Sequence, residues 1–275
     1  MQTDLLEPQI HPTAVVDPQA SLAPGVVVGP YVVIGAKVTI GPNCRIGPHA
    51  VLEGRLTMGR DNRVFPGACL GLAPQDLKYQ GSDTEVRIGN GNTFREYVTV
   101  NRATEDGQTT QVGDGNLVMA YCHIAHNCTL GNRIVMSNAV QVAGHVSIHD
   151  NAVIGGALGI HQFVQIGSLA MVGGMSRVDR DIPPYCLVEG HPARVRGLNR
   201  VGLQRSGLDT IHGAASLQEL QQIWKLFYRS EMTMAQAMAQ VRNKPWRGPT
   251  ATFLGFMEDS LAPGRRGPLP AASRG

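Results

Sequence analysis

Apolar residues recur at every sixth position along the first two thirds of the chain. Of the 29 positions at this spacing from Ile10 to Val178, 26 are apolar, and the exceptions are Asp76, Ser82 and Asp106. An α-helix repeats about every 3.6 residues and a strand about every 2, so neither produces this period. Three hexapeptides close one coil of a parallel β-helix, and such coils stack on one another. An ordinary β-sandwich is the alternative, but its strands would alternate apolar and polar residues with a period of two. We therefore predict an all-β solenoid.

The residues around each apolar position fit a narrow coil. Small or aliphatic residues stand two positions before it, and the residue after it is often one of the 33 glycines. Cys44, Cys122 and Cys128 occupy the small inward position, so we expect buried thiols rather than disulfides or zinc ligands. Five cysteines at irregular spacing indicate a reducing compartment.

The pattern divides the chain into two domains and a tail. The β-helix is expected over residues 1–190, with loop excursions at 71–87 and 102–111 where the period is interrupted. Apolar spacing becomes helical over 191–262, which predicts a smaller all-α C-terminal domain. The tail, 263–275, is rich in Pro, Gly and Arg, and this composition predicts disorder.

Three helices are predicted within the C-terminal domain. The first covers residues 217–228 with Ser216 as its N-cap, and its aromatic stripe is expected to be core. The second and third cover residues 232–241 and 250–261.

Charge is distributed unevenly between the two parts of the chain. Residues 1–193 carry 12 Lys and Arg against 16 Asp and Glu, whereas residues 194–275 carry 12 against 5. A basic C-terminal domain suits an acidic partner, although a solvated helix surface is the alternative. The basic residues are not interleaved with aromatics, so nucleic acid is not expected. We see no secretory leader and no apolar run that could span a membrane, and therefore expect a soluble cytoplasmic protein.

Histidines cluster at one place on the predicted coils. From Val112 to Val178 the period has no insertion, so a step of 18 residues leads to the same place on the next coil. His126, Gly144 and Gln162 are related by this step and lie two residues past an inward position. At a strand spacing of about 4.8 Å they should stack at one corner within about 10 Å. The histidines beside this corner are His123, His145 and His161. A scatter of unrelated exposed histidines is the alternative.

This corner suits acyl transfer. A histidine titrates near neutral pH and can take a proton from a hydroxyl as that oxygen attacks a carbonyl. Gly144 has no side chain and can offer its backbone N–H to an oxyanion. The sequence has no G-x-S-x-G motif, and Cys122 is expected to point inward. Direct transfer from a bound acyl donor to a bound acceptor is therefore the simplest scheme.

Several short segments carry a resemblance to a known family. They are Gln75-Asp76-Leu77-Lys78-Tyr79, His123-Ile124-Ala125-His126, Ala143-Gly144-His145, His161-Gln162-Phe163 and Gly197-Leu198-Asn199, the last followed by Gly202-Leu203. With the hexapeptide coils, these segments resemble the UDP-N-acetylglucosamine O-acyltransferases, the first enzymes of lipid A synthesis. The resemblance covers nearly the whole chain. It implies a homotrimer of left-handed parallel β-helices, an exception to the usual right-handed crossover, with active sites between subunits.

The resemblance also implies the reaction and the roles of single residues. A (R)-3-hydroxyacyl chain would pass from acyl carrier protein to the glucosamine 3-hydroxyl of UDP-N-acetylglucosamine, with His126 as general base and the Gly144 N–H at the oxyanion. Gly174 would stand where the family limits acyl-chain length, and its glycine leaves the channel end open. The residues implied to bind substrate are Asp76, Lys78, His123, His145, His161, Gln162, Asn199 and Arg205.

No metal and no resident cofactor are implied, because the acyl donor is carried on the phosphopantetheine of acyl carrier protein. The basic C-terminal domain is similar to the family's dock for this carrier. Two residues depart from the family pattern. Asn127 follows the candidate base where the family often has Asp, and an amide cannot stabilise an imidazolium by charge. Ser206 follows Arg205 where the family often has a second arginine, which bears on nucleotide affinity.

Other readings of the same pattern remain. The N-acyltransferase of the same pathway has an additional domain before its coils, whereas coils begin here by Ile10. A coenzyme-A-dependent acetyltransferase would not explain the loop with Lys78 or the basic domain. A γ-type carbonic anhydrase would bind zinc through three histidines, for which His123, His126 and His145 could be considered. A non-catalytic trimeric scaffold is the last alternative.

Overall fold

The computed structural model describes residues 7–272 of the 275-residue chain. Its larger part is a parallel β-helix whose short strands join three sheets, as the apolar period predicts. Apart from the strands at the sheet edges, each strand lies between the strands of the coils before and after it. The last strand differs, because β28 runs antiparallel to β27.

The strands, numbered in chain order, alternate among the three sheets. The first sheet contains β1 (Gln9–Ile10), β4 (Val27–Val28), β7 (Arg45–Ile46), β10 (Arg63–Val64), β13 (Thr93–Phe94), β16 (Leu117–Val118), β19 (Val135–Met136), β22 (Val153–Ile154), β25 (Met171–Val172), β27 (Cys186–Glu189) and β28 (Arg194–Leu198). The second sheet contains β2 (Val15–Val16), β5 (Val33–Ile34), β8 (Val51–Leu52), β11 (Cys69–Leu72), β14 (Thr99–Asn101), β17 (His123–Ile124), β20 (Gln141–Val142), β23 (Gly159–Ile160) and β26 (Arg177–Val178). The third sheet contains β3 (Ser21–Leu22), β6 (Val38–Ile40), β9 (Arg55–Met58), β12 (Glu85–Ile88), β15 (Thr109–Val112), β18 (Thr129–Leu130), β21 (Ser147–Ile148) and β24 (Gln165–Ile166).

The strand register confirms the step of 18 residues. Ile124 pairs with Val142, and Val142 pairs with Ile160. All three side chains are buried inside the coil. Because the inward residues stack in register, the residues of each corner also stack from coil to coil.

The cysteines at inward positions are buried thiols, as predicted. Cys44, Cys122 and Cys128 are all inaccessible to solvent, and no described cysteine is in a disulfide. Burial raises the pKa of the Cys128 thiol to about 12, so it stays protonated at neutral pH. These side chains therefore serve the core.

A ladder of buried amides fills part of the interior where the period alone suggests only apolar residues. Asn92 Nδ2 donates to Asn62 Oδ1 at 3.0 Å, and Asn116 Nδ2 donates to Asn92 Oδ1 at 2.9 Å. The Ile134 N–H donates to Asn116 Oδ1 at 2.7 Å. Buried amides are costly unless hydrogen-bonded, and this ladder pairs each of them with the next coil.

Two excursions leave the β-helix. Loop 1, residues 73–84, connects β11 to β12, and loop 2, residues 102–108, connects β14 to β15. Both loops are shorter than the excursions predicted from the sequence, residues 71–87 and 102–111. They contact each other, because the Asp83 N–H donates to the Asp106 carboxylate at 2.7 Å.

Within the described residues five helices follow the β-helix, and the sequence predicts only three of them. They are α1 (Arg200–Arg205), α2 (Leu208–His212), α3 (Ala214–Arg229), α4 (Met234–Val241) and α5 (Gly248–Ser260). The N-cap of α3 is Gly213, so the expectation of Ser216 is wrong, and Ser216 lies inside the helix. Gly213 has φ 79°, a conformation that favours glycine and separates α2 from α3. No helix within residues 7–272 is long and apolar enough to cross a membrane.

The aromatic stripe of α3 is part of the core of the C-terminal domain, as predicted. Leu220, Trp224 and Phe227 are buried. The Phe227 ring meets Phe253 of α5 edge to face, with 5.7 Å between the ring centroids. This packing holds the two longest helices together.

The expectation of a disordered tail is wrong for residues 263–272, while 273–275 lie outside the described residues. Arg265 makes a salt bridge with Asp181 at 2.8 Å, and Leu269 is fully buried. The Leu269 N–H also donates to the Asp181 carbonyl at 2.8 Å. Composition suggested disorder, but one buried leucine and one buried ion pair attach the tail to the end of the β-helix.

Candidate active site

The structure brings His126, Gly144 and Gln162 to one corner. They follow β17, β20 and β23, which are neighbours in the second sheet. The His145 N–H donates to the His126 carbonyl at 3.0 Å, and the Phe163 N–H donates to the Gly144 carbonyl at 3.2 Å. The three residues therefore stack on successive coils, as the step of 18 predicts.

The corner is turned by residues in the left-handed region. Asn127, His145 and Phe163 have φ of 60°, 60° and 66°. This conformation costs a non-glycine residue about 1–2 kcal/mol, and the paired strands on either side enforce it. Its effect is to direct the His126 and His145 side chains toward the same edge.

His126 has a polar neighbour at each ring nitrogen. Its Nδ1 lies 2.8 Å from Asn127 Oδ1, and its Nε2 lies 3.7 Å from the Asp76 carboxylate. The side chain is only 15% exposed. One nitrogen is thus within hydrogen-bond distance of Asn127, while the other lies toward Asp76 of loop 1.

Gly144 lies directly beneath this ring. A Cβ at this position would stand 2.4 Å from His126 Cε1 and 2.6 Å from Nε2, so any side chain would displace the imidazole. Among residues 7–272, the Gly144 N–H has no hydrogen-bond partner. The position therefore combines close packing with a free backbone donor.

His145 and His123 flank the candidate base. The His145 ring lies edge-on to His126 at 5.2 Å and stacks on Phe163 at 4.7 Å. His123 Nδ1 is 2.7 Å from the Thr99 hydroxyl. Burial first, and the nearby His126 second, lower the pKa of both His123 and His145. The lowered pKa values favour the neutral imidazole at both positions.

His161 and Gln162 continue the corner on the next coil. His161 Nδ1 is 3.0 Å from the Gln162 carbonyl, and its Nε2 is 3.4 Å from Arg266 of the tail. Gln162 is exposed. A cavity of ≈ 440 Å³ lies beside the corner on the second sheet, and its lining includes His123, Ala143 and His161.

Loop 1 brings Asp76 to the corner but leaves Lys78 more exposed. The Asp76 carboxylate that faces His126 also accepts the Lys78 N–H at 2.9 Å. This short turn sets the direction of the Asp76 side chain.

Asn199, Arg205 and Gly174 lie away from His126. A cavity of ≈ 760 Å³ against the first sheet is lined by Asn199, Arg205 and Ser206, among others. Asn199 also caps α1, since its Oδ1 accepts the Gly202 N–H at 3.0 Å. Gly174 is exposed in the turn after β25. Within one chain, the predicted nucleotide residues and the predicted base therefore occupy different faces.

Sequence reasoning missed the surroundings of Asn127. Thr104 and Gln108 of loop 2 hydrogen-bond to its amide, although the register is lost between these segments. Counting along the period cannot place residues of a loop next to residues of a coil. The polar composition of loop 2 was therefore the only sequence signal for these contacts. The part of the chain that the structure describes contains no group of three or more His, Cys, Asp or Glu residues placed to hold a metal ion.

Comparisons with known proteins agree with this geometry. A model described as UDP N-acetylglucosamine O-acyltransferase, domain 2, matches residues 181–268, and a model of bacterial transferase hexapeptides matches residues 7–42 and 20–54. The chain is 52% identical to an acyl-[acyl-carrier-protein]–UDP-N-acetylglucosamine O-acyltransferase of Synechocystis over 96% of this chain and 95% of that one. A protein of the same name from Verminephrobacter eiseniae is 50% identical over 94% and 98% of the two chains.

The chain belongs to this O-acyltransferase family. LpxA of Acinetobacter baumannii has a TM-score of 0.88 at 38% identity, and the match covers 94% of this chain and 99% of that one. The UDP-N-acetylglucosamine acyltransferase of Campylobacter jejuni has a TM-score of 0.86 at 34% identity, covering 96% and 100%. As a member of the family, the protein is an acyltransferase with a left-handed parallel β-helix.

Proposed function

We propose that this O-acyltransferase moves a (R)-3-hydroxyacyl chain from acyl carrier protein to the glucosamine 3-hydroxyl of UDP-N-acetylglucosamine, the first step of lipid A biosynthesis. The names of its relatives, acyl-[acyl-carrier-protein]–UDP-N-acetylglucosamine O-acyltransferases, support the substrates. The observation that carries the chemistry is the close packing of the largely buried His126 ring against Gly144.

His126 is the general base in this proposal. Its Nε2 takes the proton of the 3-hydroxyl while that oxygen attacks the thioester carbonyl. The imidazole is held at Nδ1 by Asn127, so only Nε2 is available to the substrate. A positioned general base contributes about 10²–10⁴-fold to a rate.

Gly144 stabilises the charge that develops next. As the new C–O bond forms, the carbonyl oxygen becomes an oxyanion, and the free Gly144 N–H donates to it. The C–S bond then breaks, and the phosphopantetheine thiolate leaves and takes the proton held by His126. The products are the 3-O-acylated nucleotide sugar and carrier protein with a free thiol.

The remaining corner residues bind the sugar. Asp76, placed by loop 1 beside His126, accepts from sugar hydroxyls, and Lys78 reaches toward the phosphates. His123 and His145 line the pocket as neutral imidazoles, so they place no positive charge beside His126 when it holds the proton. The last two lining residues are His161 and Gln162.

Asn199 and Arg205 contact the nucleotide from a neighbouring copy in a homotrimer. Their cavity lies on the first sheet, away from His126 of the same chain, which supports a site completed between subunits. Gly174 leaves the end of the acyl channel open. The excess of seven positive charges over residues 194–275, 12 against 5, suits docking of the acidic carrier protein.

Mass spectrometry of the products tests the proposal. The enzyme is incubated with UDP-N-acetylglucosamine and hydroxyacyl carrier proteins of several chain lengths, and we expect one added hydroxyacyl group. His126→Ala should slow product formation by about 10²–10⁴-fold, because it removes the base. The control is His49→Ala, which alters an exposed histidine stacked on Tyr31 at a different corner. Absence of acylated product with every donor would refute the proposed function. Normal turnover by His126→Ala would show that His126 is not the general base.

A further inference from the structure

Loop 2 surrounds the carboxamide of Asn127 with groups of fixed hydrogen-bonding character. Asn127 Oδ1 accepts from the Thr104 N–H at 3.2 Å and from the Thr104 hydroxyl at 3.1 Å. Asn127 Nδ2 donates to Gln108 Oε1 at 2.5 Å. Gln108 Nε2 in turn donates to the Glu105 carboxylate at 3.1 Å.

The two ends of this chain of contacts determine the orientation of both amides. A carboxylate only accepts, so Glu105 requires the Gln108 NH₂ group on its side and turns Gln108 Oε1 toward Asn127. A backbone N–H only donates, so Thr104 requires the Asn127 oxygen on its side. If Gln108 were flipped, its oxygen would face the Glu105 carboxylate, and if Asn127 were flipped, its NH₂ group would face the Thr104 N–H. The orientation that Glu105 requires of Gln108 is also the one that lets Gln108 accept from Asn127.

The orientation of Asn127 determines which ring nitrogen of His126 carries the proton. Asn127 Oδ1 also lies 2.8 Å from His126 Nδ1. An oxygen can only accept, so Nδ1 carries the hydrogen in the neutral ring and the lone pair is on Nε2. Nε2 is the nitrogen that faces the Asp76 carboxylate, at 3.7 Å.

We propose that Gln108 is a positioning residue for His126, which holds the Asn127 carboxamide so that the neutral imidazole carries its proton on Nδ1 and its lone pair on Nε2. The catalytic importance of this tautomer rests on the proposed function, in which His126 is the base. We call the hydrogen-bonded series Glu105, Gln108 and Asn127 the relay; it orients the two amides and transfers no proton. An aspartate at position 127 would not need it, because both of its oxygens accept. The relay thus explains how an asparagine can orient His126 at this position.

Nitrogen NMR tests the tautomer without any substrate. The full-length protein is labelled with ¹⁵N-histidine, and the His126 signals are assigned by their loss in His126→Ala. We expect the Nδ1–H form in the wild type and an increased share of the Nε2–H form in Gln108→Leu. A wild type in the Nε2–H form, or an unchanged ratio in Gln108→Leu, would overturn the proposal whether or not the enzyme is active.

Kinetics in two backgrounds separate positioning from a merely structural role. Gln108→Leu should lower kcat about tenfold, part of the ~10²–10⁴-fold that a base contributes, with little change in KM. In an Asn127→Asp background the same substitution should change kcat by no more than about twofold, because Gln108 acts through the Asn127 amide and the two sites are therefore coupled. An equal loss in both backgrounds would mean that Gln108 only supports loop 2, and would sink the proposal.

The matched control is Gln111→Leu. Gln111 is exposed on β15, just beyond loop 2, and has the same side chain outside the relay. Wild-type kcat and an unchanged His126 tautomer are expected in this variant. If instead the tautomer shifts with Gln108→Leu while His126→Ala remains fully active, the relay stands and the proposed role of His126 as base fails.

Discussion

Two properties meet at Gly144: a side chain there would collide with His126, and its backbone N–H is free. The ring of His126 occupies the space where a Cβ would be, and the Gly144 N–H is free to bind an oxyanion. Together they indicate that the corner is built around the position of one imidazole.

Gly144→Ala should therefore impair catalysis more than folding. The new methyl group would stand 2.4 Å from His126 Cε1, so the ring must move. A displacement of about 1 Å can cost on the order of 10²-fold in rate, and we expect kcat to fall by about this factor. Steady-state kinetics and thermal unfolding measure the two effects.

The control for this substitution is Gly255→Ala. Gly255 is exposed on α5, and a Cβ there would have nothing within 4 Å. It should keep wild-type kcat and gain up to about 1 kcal/mol in stability, because alanine favours a helix over glycine. Wild-type kcat in Gly144→Ala would contradict the proposed contact.

His123 and His145 make stability depend on pH. Their pKa values are lowered by burial and by His126, whereas a histidine in the unfolded chain titrates near about 6.5. Below that pH the unfolded chain binds protons that the folded chain does not. Their contribution to stability is thus fully present above about pH 6.5 and is lost as the pH falls toward the lowered values.

We expect the Tm to fall more between about pH 7.5 and pH 5.5 in the wild type than in a His123→Gln, His145→Gln double variant. Differential scanning calorimetry at a series of pH values measures this difference. His49→Gln, at an exposed histidine, should retain the acid sensitivity of the wild type. Parallel curves for the wild type and the double variant would argue against the assignment.

The sequence predicted the corner residues because position along a regular coil is set by counting. No insertion interrupts the chain between Val112 and Val178, so His126 and Gly144 had to stack. The partners of Asn127 could not be predicted in this way. Thr104 and Gln108 come from an excursion, where the period no longer relates sequence to space.

At the scale of elements, loop 1 is held in place from the base of loop 2. Arg102 donates to the Gly71 carbonyl at 2.5 Å and to the Tyr79 hydroxyl at 3.1 Å. Asn101 Nδ2 donates to the Ala73 carbonyl at 2.9 Å. The segment that carries Asp76 is thus attached at both ends to the strand β14 and its continuation.

Arg102→Met should weaken binding of the nucleotide sugar by releasing loop 1. Hydrogen bonds to a charged group contribute about 1.5–3 kcal/mol, so a loss of part of this corresponds to a KM about tenfold higher. Initial-rate kinetics against UDP-N-acetylglucosamine measures it. Arg63→Met, at an exposed arginine of β10, is the control and should leave KM unchanged. Equal KM values in the two variants would show that loop 1 does not need this anchor.

The helical elements were predicted less completely than the coils. Apolar spacing identified α3 because Leu220, Trp224 and Phe227 lie on one face, but its first three residues, 214–216, carry no large apolar side chain. The two short helices before it, each of 5 or 6 residues, are too short to show a period. The start of α1 is fixed by Asn199, which caps the helix and also donates to the distant Leu169 carbonyl at 2.9 Å.

At the scale of the whole molecule, the tail connects the C-terminal domain to the end of the β-helix. Arg265 follows α5, whereas Asp181 belongs to the last coil, and Ser260 of α5 also donates to Asp181 at 2.7 Å. Arg265 further donates to the Phe163 carbonyl at 3.2 Å. Composition could not predict this attachment, because it depends on a single buried carboxylate and not on a repeated pattern.

Arg265→Met should destabilise the protein strongly. The Asp181 side chain is 4% exposed and that of Arg265 is 26% exposed, so the substitution leaves a buried carboxylate without its cation. Removal of one partner from such a pair costs about 3–5 kcal/mol. Chemical denaturation measures the change in the free energy of unfolding. The control is Arg266→Met, at the exposed neighbour, which should cost far less.

A compensating substitution distinguishes the buried charge from lost packing of the tail. In Arg265→Met, a further Asp181→Asn change removes the uncompensated charge, while its amide oxygen can still accept the Gln165 N–H and its NH₂ group can donate to the Ser260 hydroxyl. We therefore expect the double variant to be more stable than Arg265→Met, although less stable than the wild type. A double variant no more stable than Arg265→Met would mean that the tail is held by Leu269 and its backbone contacts, with the ion pair contributing little.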